Sequence, residues 1–331
     1  MSLLAKECER LAAQMFAKDK LAPKLGSLSL TDATYADYIA AAASVLPPDT
    51  SIKRELQSFQ QGVIEFNHEC NSPVASGIPT GFIAYDHLTN GLHAGDLTII
   101  GARPGVGKTS LAVSIGVNVA KAGEGVALFS MEMPTTQVIA RAICSEARVD
   151  LLKVRAKSFT EQERARIITA SGRHEKLPFF IDDTATIRAH EIAAKVRAKQ
   201  AVTPIKVVIL DYLQLIKGES NSPQFREQDV SMISRWLKAM AKELNVAVIA
   251  LSQLNRGVEN RDDKKPRLSD LRESGAIEQD ADNIAFIHRT EQHGASADII
   301  LAKQRNGPTG VVSVGFEEQY TRFCNLHGGE Q

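Results

Sequence analysis

The run Gly101-Ala-Arg-Pro-Gly-Val-Gly-Lys-Thr109 sets glycines, a lysine and a hydroxyl residue at a spacing suited to phosphate chemistry. Backbone N–H groups at a helix start, with the positive end of the helix dipole behind them, can wrap a polyphosphate. Lys108 then reaches the outer phosphate oxygens, and Thr109 holds Mg²⁺ through its hydroxyl. The expected cradle comprises Ala102, Arg103, Pro104, Gly105, Val106, Gly107, Lys108, Thr109 and Ser110. Counting back from Gly107, the first glycine of the strict pattern falls on Ala102, a mild change because Gly105 and Gly107 remain where backbone approaches phosphate most closely. Such a loop needs a strand before it and a helix after it. Asp96-Leu-Thr-Ile-Ile100 is mostly apolar and reads as a buried strand, and Ser110 to Ala120 fits a helix packed on a sheet.

A nucleotide site also needs acidic groups. Asp211 ends the run Lys206-Val-Val-Ile-Leu-Asp211, where its carboxylate is expected beside Thr109 in support of Mg²⁺. Glu132 follows another apolar run, and strand C-termini are where ligands bind in open parallel sheets, so it is the candidate for orienting an attacking water. Gln253 ends a third run, where its amide could contact an outer phosphate and a nearby mobile loop.

The elements that must carry these residues alternate. After the loop come strands at Gly125–Ser130, Pro178–Ile181, Lys206–Asp211 and Val246–Gln253, separated by helices around Pro134–Ala147, Glu161–Gly172, Arg188–Gln200 and Glu227–Leu244. Thr160 with Glu163 reads as a capping box. Strands joined by helices of this length imply right-handed crossovers and a largely parallel sheet covered on both faces, an α/β fold. Beyond the polar loop from Asn255 to Leu268 come strands at Asn283–Arg289, Asp298–Gln304 and Gly310–Phe316, the last two expected to pair antiparallel at one edge.

Residues 1–70 read differently, as a small helical N-terminal segment, with helices expected at Leu3–Ala17 and Ala36–Val45 and a break at Pro47-Pro48. From 51 to 69, Ile52, Leu56, Phe59, Val63 and Phe66 form a narrow apolar seam, suited equally to its own domain or to another subunit. Residues 71–80 read as a linker, leaving 81–331 as the α/β domain.

Composition narrows the classes. The 331 residues carry 39 Lys+Arg and 39 Asp+Glu, so bulk charge argues neither for nor against a nucleic-acid partner. Cys8, Cys70, Cys144 and Cys324 form no Cys-x-x-Cys pair, which excludes a zinc ribbon and argues against a disulfide framework. With no signal-peptide core and no membrane-length apolar run, a cytoplasmic location is expected.

Several short stretches together resemble one family. Ser76-Gly-Ile-Pro-Thr-Gly-Phe82, Leu88-Thr-Asn-Gly-Leu92, Gly95 to Pro104, Ser130-Met-Glu-Met133, Asp211-Tyr-Leu-Gln-Leu215, Leu251 to Arg256, Ser269 to Asp282 and Lys303-Gln-Arg-Asn-Gly307 are similar, in order, to the motor domain of DnaB-family replicative helicases. The resemblance implies a RecA-like P-loop ATPase core in a homo-hexameric ring with ATP at the subunit interfaces, moving 5′ to 3′ on single-stranded DNA and opening forked duplex. It implies Glu132 as catalytic glutamate, Asp211 as Mg²⁺ support and Gln253 as phosphate sensor. Lys303 and Arg305 correspond to the basic pair that reaches the neighbour's ATP, Arg305 as arginine finger, and two residues apart on one strand they share a face. Arg272, Glu273 and Gly275 correspond to the channel loop that grips DNA, the arginine by charge and the other two through main-chain N–H groups. The mixed cluster Arg256, Arg261, Lys264, Lys265 and Arg267, diluted by Glu259, Asp262 and Asp263, reads as a solvated loop. The part before Ser76 is shorter than the family's helical domain plus linker helix, so either a natural short form or a trimmed piece of a longer chain is expected, with the 51–69 seam suited to the linker helix. A helicase loader is a further implied partner, whereas primase binding depends on the shortened region. The alternatives are a RecA-type recombination ATPase and an ATP-switched ring or loader adaptor. The Lys303/Arg305 pair argues against the first, and an intact Glu132 against the second.

Overall fold

Four runs rich in Val, Ile and Leu form the centre of the sheet because both of their faces are covered, which selects continuous apolar sequence over alternation. The computed structural model describes residues 58–71, 77–217, 226–261, 263–271, 275–289 and 295–326. The chain divides into two units at Asn71/Ser72. In the first, the described part is one helix, α1 (Phe59–Cys70), on which Phe59, Val63 and Phe66 are exposed. The helices expected at 3–17 and 36–45, and seam residues Ile52 and Leu56, lie outside the described residues.

The second unit begins inside the stretch read as a linker. Ile78 exchanges backbone hydrogen bonds with Leu92, and Thr80 is fully buried, its carbonyl accepting from Asn118 Nδ2 at 3.0 Å. Asp86, in the short helix α2 (Ile83–Thr89), accepts the N–H groups of Thr80 and Gly81. Polar turn residues here bond to the domain rather than to water, so the composition that signals a linker marks a fixed entry segment instead.

There follow β1 (Leu97–Ala102), α3 (Lys108–Lys121), β2 (Gly125–Ser130), α4 (Thr135–Ala147), α5 (Leu151–Arg155), α6 (Glu161–His174), β3 (Phe179–Asp182), α7 (Ala189–Gln200) and β4 (Ile205–Asp211). The second half comprises α8 (Arg226–Leu244), β5 (Ala247–Gln253), α9 (Gly275–Asp280), β6 (Asn283–His288), β7 (Ser296–Gln304), β8 (Gly310–Glu317) and β9 (Arg322–Cys324). The nine strands among the described residues form one sheet in the order β3-β2-β4-β5-β1-β6-β7-β8-β9. The pairs from β3 to β6 are parallel and those from β6 to β9 antiparallel. The mostly parallel sheet with an antiparallel edge therefore matches expectation, and the antiparallel part extends to β6/β7 and a short ninth strand.

One core lies on each face of the sheet. Leu97, Ile99, Val208 and Leu210 point to one, with Leu237 of α8 and Ile192 of α7; Ile100, Val207, Ile209 and Leu251 point to the other, with Leu111 and Ile115 of α3. A third, smaller cluster of Ile143, Ala147, Val149 and Ala170 joins α4 to α6. The expected capping box opens α6: Glu163 N–H donates to Thr160 Oγ1 at 3.2 Å, and Thr160 N–H to Glu163 Oε2 at 2.8 Å. Among the described residues no helix is long and apolar enough to cross a membrane.

Candidate functional site

β1 delivers the chain to the glycine loop at the C-terminal end of the central strands. Gly105 (φ +79°) and Gly107 (φ +111°) turn it into α3, and both lie in the left-handed region that glycine tolerates. Space adds a second constraint at Gly107, where a Cβ would sit 2.9 Å from the Phe323 ring. The antiparallel edge thus curls back until β9 touches the loop, with Phe323 packed 4.6 Å, centroid to centroid, from Phe316 of β8. The helix opens on Lys108, so its first-turn N–H groups, which have no intrahelical acceptor, face the loop.

Asp211 closes the other side. Thr109 Oγ1 donates to Asp211 Oδ2 at 2.7 Å. Asp211 is 1% exposed, and its Oδ1 has no hydrogen-bond partner in the structure. A buried carboxylate oxygen left without a donor, beside a hydroxyl and a phosphate loop, fits a hard cation that prefers oxygen ligands. Burial raises the Asp211 carboxyl above its ordinary range, against the lowering influence of Thr109 and Lys108. Burial likewise pulls the Lys108 ammonium down, against the pull of Asp211 and Glu132. Lys108 Nζ lies 4.3 Å from the centre of the Tyr212 ring.

The loop borders a cleft of about 310 Å³ that Glu132 and Gln253 also line. Ser130 Oγ donates to the Met133 carbonyl at 2.7 Å and Met131 N–H to the Asp211 carbonyl at 2.9 Å, which fixes the turn that presents Glu132. Gln253 ends β5, its N–H directed at Gln214 Oε1, 3.4 Å away, while Gln214 Nε2 donates to Ser252 Oγ. Within the expected cradle, Arg103, Pro104, Gly105, Gly107, Lys108, Thr109 and Ser110 line the cleft. Ala102 does not: as the last residue of β1 it is buried, and Val106 packs on the core under the loop. Arg103 spends its guanidinium on Glu259 at 2.7 Å and the Leu254 carbonyl at 2.9 Å.

The cleft has further walls that no sequence pattern indicated. Arg141 of α4 enters it with Nε lacking a hydrogen-bond partner; burial and Arg155 lower its affinity for the proton, while Asp211 and Glu132 raise it. Arg289, stacked 4.5 Å from the centre of the Phe316 ring, forms another wall with Glu318 and Thr321. Arg141 is the single arginine of α4, Arg289 comes just after β6, and Glu318 and Thr321 follow β8, so only their placement distinguishes them.

Lys303 and Arg305 do not line this cleft. Lys303 Nζ donates to the Ala281 carbonyl at 2.7 Å and to that of Glu278, and Arg305 Nη1 to Asp282 Oδ1 at 3.0 Å. β7 ends at Gln304, so Arg305 lies just past the strand on which both were expected, yet both side chains reach the same segment. Arg272 and Glu273 lie outside the described residues; Gly275 opens α9 and is exposed. In the mixed-charge loop, Arg267 pairs with Asp263 in solvent as expected, whereas Arg261 pairs with the buried Asp270, so that end of the cluster is anchored to the domain rather than solvated.

A family model for the DnaB-like helicase C-terminal domain matches residues 77–325. The chain is 46% identical over 258 residues to the replicative DNA helicase DnaC of Bacillus subtilis (strain 168), covering 76% of this chain and 57% of that protein. It is 44% identical over 270 residues to the replicative DNA helicase DnaB of Geobacillus stearothermophilus, covering 80% and 59%. The chain thus spans under two thirds of these relatives' length. Among solved structures, an isolated ATPase domain superposes with a TM-score of 0.78 at 36% identity, covering 82% of this chain and 99% of that one. A DnaB-like replicative helicase studied with primase superposes at 0.77 and 33% identity, covering 97% and 76%.

Proposed function

The chain belongs to the DnaB-like helicase family, and on that premise we propose that it is the motor of an ATP-driven DNA helicase working as a homo-hexameric ring on single-stranded DNA. The observation that carries the reading is the Thr109–Asp211 pair beside the phosphate loop, with one buried Asp211 oxygen unsatisfied. Thr109 and Asp211 would hold Mg²⁺, directly or through water, and the bound ion would neutralise charge building between the outer phosphates. The N–H groups at the start of α3 and Lys108 bind the phosphates, and Arg141 adds positive charge to the same wall. Glu132 orients the attacking water, and Gln253 reports the presence of the outer phosphate to the loop after β5.

Lys303 and Arg305 lie away from their own cleft, so in this reading they serve the cleft of the next subunit, Arg305 stabilising the charge of the transition state. Gating of this kind makes hydrolysis conditional on correct seating of the ring. Arg272, with the main chain of Glu273 and Gly275, tracks DNA phosphates without reading bases. The test is unwinding of a forked duplex by the full chain with ATP and Mg²⁺. Strand separation that is lost in Lys108→Ala is expected, and a chain that hydrolyses ATP on single-stranded DNA without separating any fork would overturn the helicase reading.

A further inference from the structure

Asp282 lies where α9 gives way to β6 and is 2% exposed. Its carboxylate serves three donors. Oδ1 accepts from Arg305 Nη1 at 3.0 Å, while Oδ2 accepts from the Leu97 N–H at 2.8 Å and from the ammonium of Lys238 in α8. Its carbonyl oxygen accepts the Arg305 N–H as well, at 2.9 Å, so Arg305 is held at both main chain and side chain. Residues just ahead of Asp282 hold Lys303 through the Glu278 and Ala281 carbonyls. Burial pushes the Asp282 carboxyl up, but the hydrogen bonds from Lys238 and Leu97 and the nearby cations outweigh it and keep the group ionised.

Two consequences follow from this geometry. The Arg305 side chain is 55% exposed beyond its anchor, so a guanidinium gripped at one nitrogen still presents other N–H groups outward. Leu97 opens β1, whose far end is the phosphate loop, so the carboxylate that grips Arg305 is fastened to the strand that carries its own subunit's loop. An arginine ordered in advance loses less freedom when it meets its target than one drawn from a solvated ensemble.

We propose that Asp282 is the positioning residue of the arginine that acts in trans, setting Arg305 of one subunit against the nucleotide of the next and fastening it to β1 of its own subunit. The inference rests on the trans-acting reading of Arg305 given above. A carboxylate that merely buttressed the fold through Lys238 would support its own subunit's cleft, whereas a positioning residue supports the neighbour's. Mixing subunits separates the two.

The experiment measures DNA-stimulated ATP hydrolysis by full-length chains, singly and in equal mixtures. Lys108→Ala mixed with Arg305→Ala is the reference: recovery marks hybrid interfaces with an intact cleft and an intact arginine, and no recovery defeats the trans reading itself. Asp282→Asn, which keeps the size of the side chain, is expected to lower kcat roughly ten- to a hundredfold, the scale for a group misplaced by about 1 Å, with KM for ATP little changed. It should recover when mixed with Lys108→Ala and fail to recover with Arg305→Ala. With the reference mixture active, wild-type hydrolysis by Asp282→Asn, or a loss that Lys108→Ala cannot complement, overturns the proposal. Should Asp282→Asn not assemble, Asp282→Glu takes its place under the same criteria; assembly by neither would mark Asp282 as a folding element and overturn it equally.

Discussion

The hydroxyl of Thr109 donates to Asp211 across 2.7 Å and leaves the other Asp211 oxygen buried without a partner, so the site holds a carboxylate that the fold itself does not satisfy. Because burial raises the Asp211 pKa, its contribution to stability is full below its ordinary value near 3.8 and is lost as pH rises through the raised value. Above that raised value the buried carboxylate opposes folding. Asp211→Asn is expected to raise the melting temperature of the nucleotide-free chain at pH 7 by roughly 2–4 °C, about 1 kcal/mol for a domain of this size, while hydrolysis is lost. The gap should close toward pH 4, and calorimetry across that range checks it.

Glu163 behaves in the opposite sense. The hydrogen bond from Lys153, then that from the Thr160 N–H, hold its carboxyl down at about 2. Its stabilising effect is present above the ordinary value of 4.5 and is lost as pH falls toward 2. Glu163→Gln is expected to melt lower than wild type at pH 7, with the difference shrinking through that acidic window. A constant difference would show that the lost acceptor oxygen rather than the charge matters at the start of α6.

Gly107 combines a φ of +111° with a Phe323 ring 2.9 Å from where a Cβ would stand. Gly107→Ala is expected to cost about 1–3 kcal/mol of backbone strain, and either the loop or Phe323 must shift. Nucleotide binding should weaken more than stability, measurable by titration with a fluorescent ATP analogue. Phe323→Leu in the same background should return part of the binding if the ring is the obstacle.

Arg272 is read as a phosphate contact. Arg272→Ala should weaken binding to single-stranded oligonucleotides of any sequence to a similar extent and reduce the slope of log affinity against log salt by about 1. Fluorescence anisotropy at several salt concentrations measures this. An unchanged slope would remove Arg272 from the DNA interface.

By itself the sequence determined whatever depends on neighbours in the chain. The strand-loop-helix around Gly105 and Gly107, the apolar run that ends in Asp211 and the Thr160/Glu163 capping box are local patterns. Each is written in consecutive residues because backbone geometry and a helix's unpaired N–H groups impose local requirements. Tertiary structure alone decided what meets across the sheet: β9 folding onto the phosphate loop, Arg141 and Arg289 turning into the cleft, and Asp282 gathering Leu97, Lys238 and Arg305. It also turned part of the apparent linker into a fixed entry segment, because Thr80 bonds to Asp86 through its hydroxyl and to Asn118 through its carbonyl. These contacts join residues far apart in the chain, where no spacing rule applies, and strand order and the curl of the antiparallel edge select the partners.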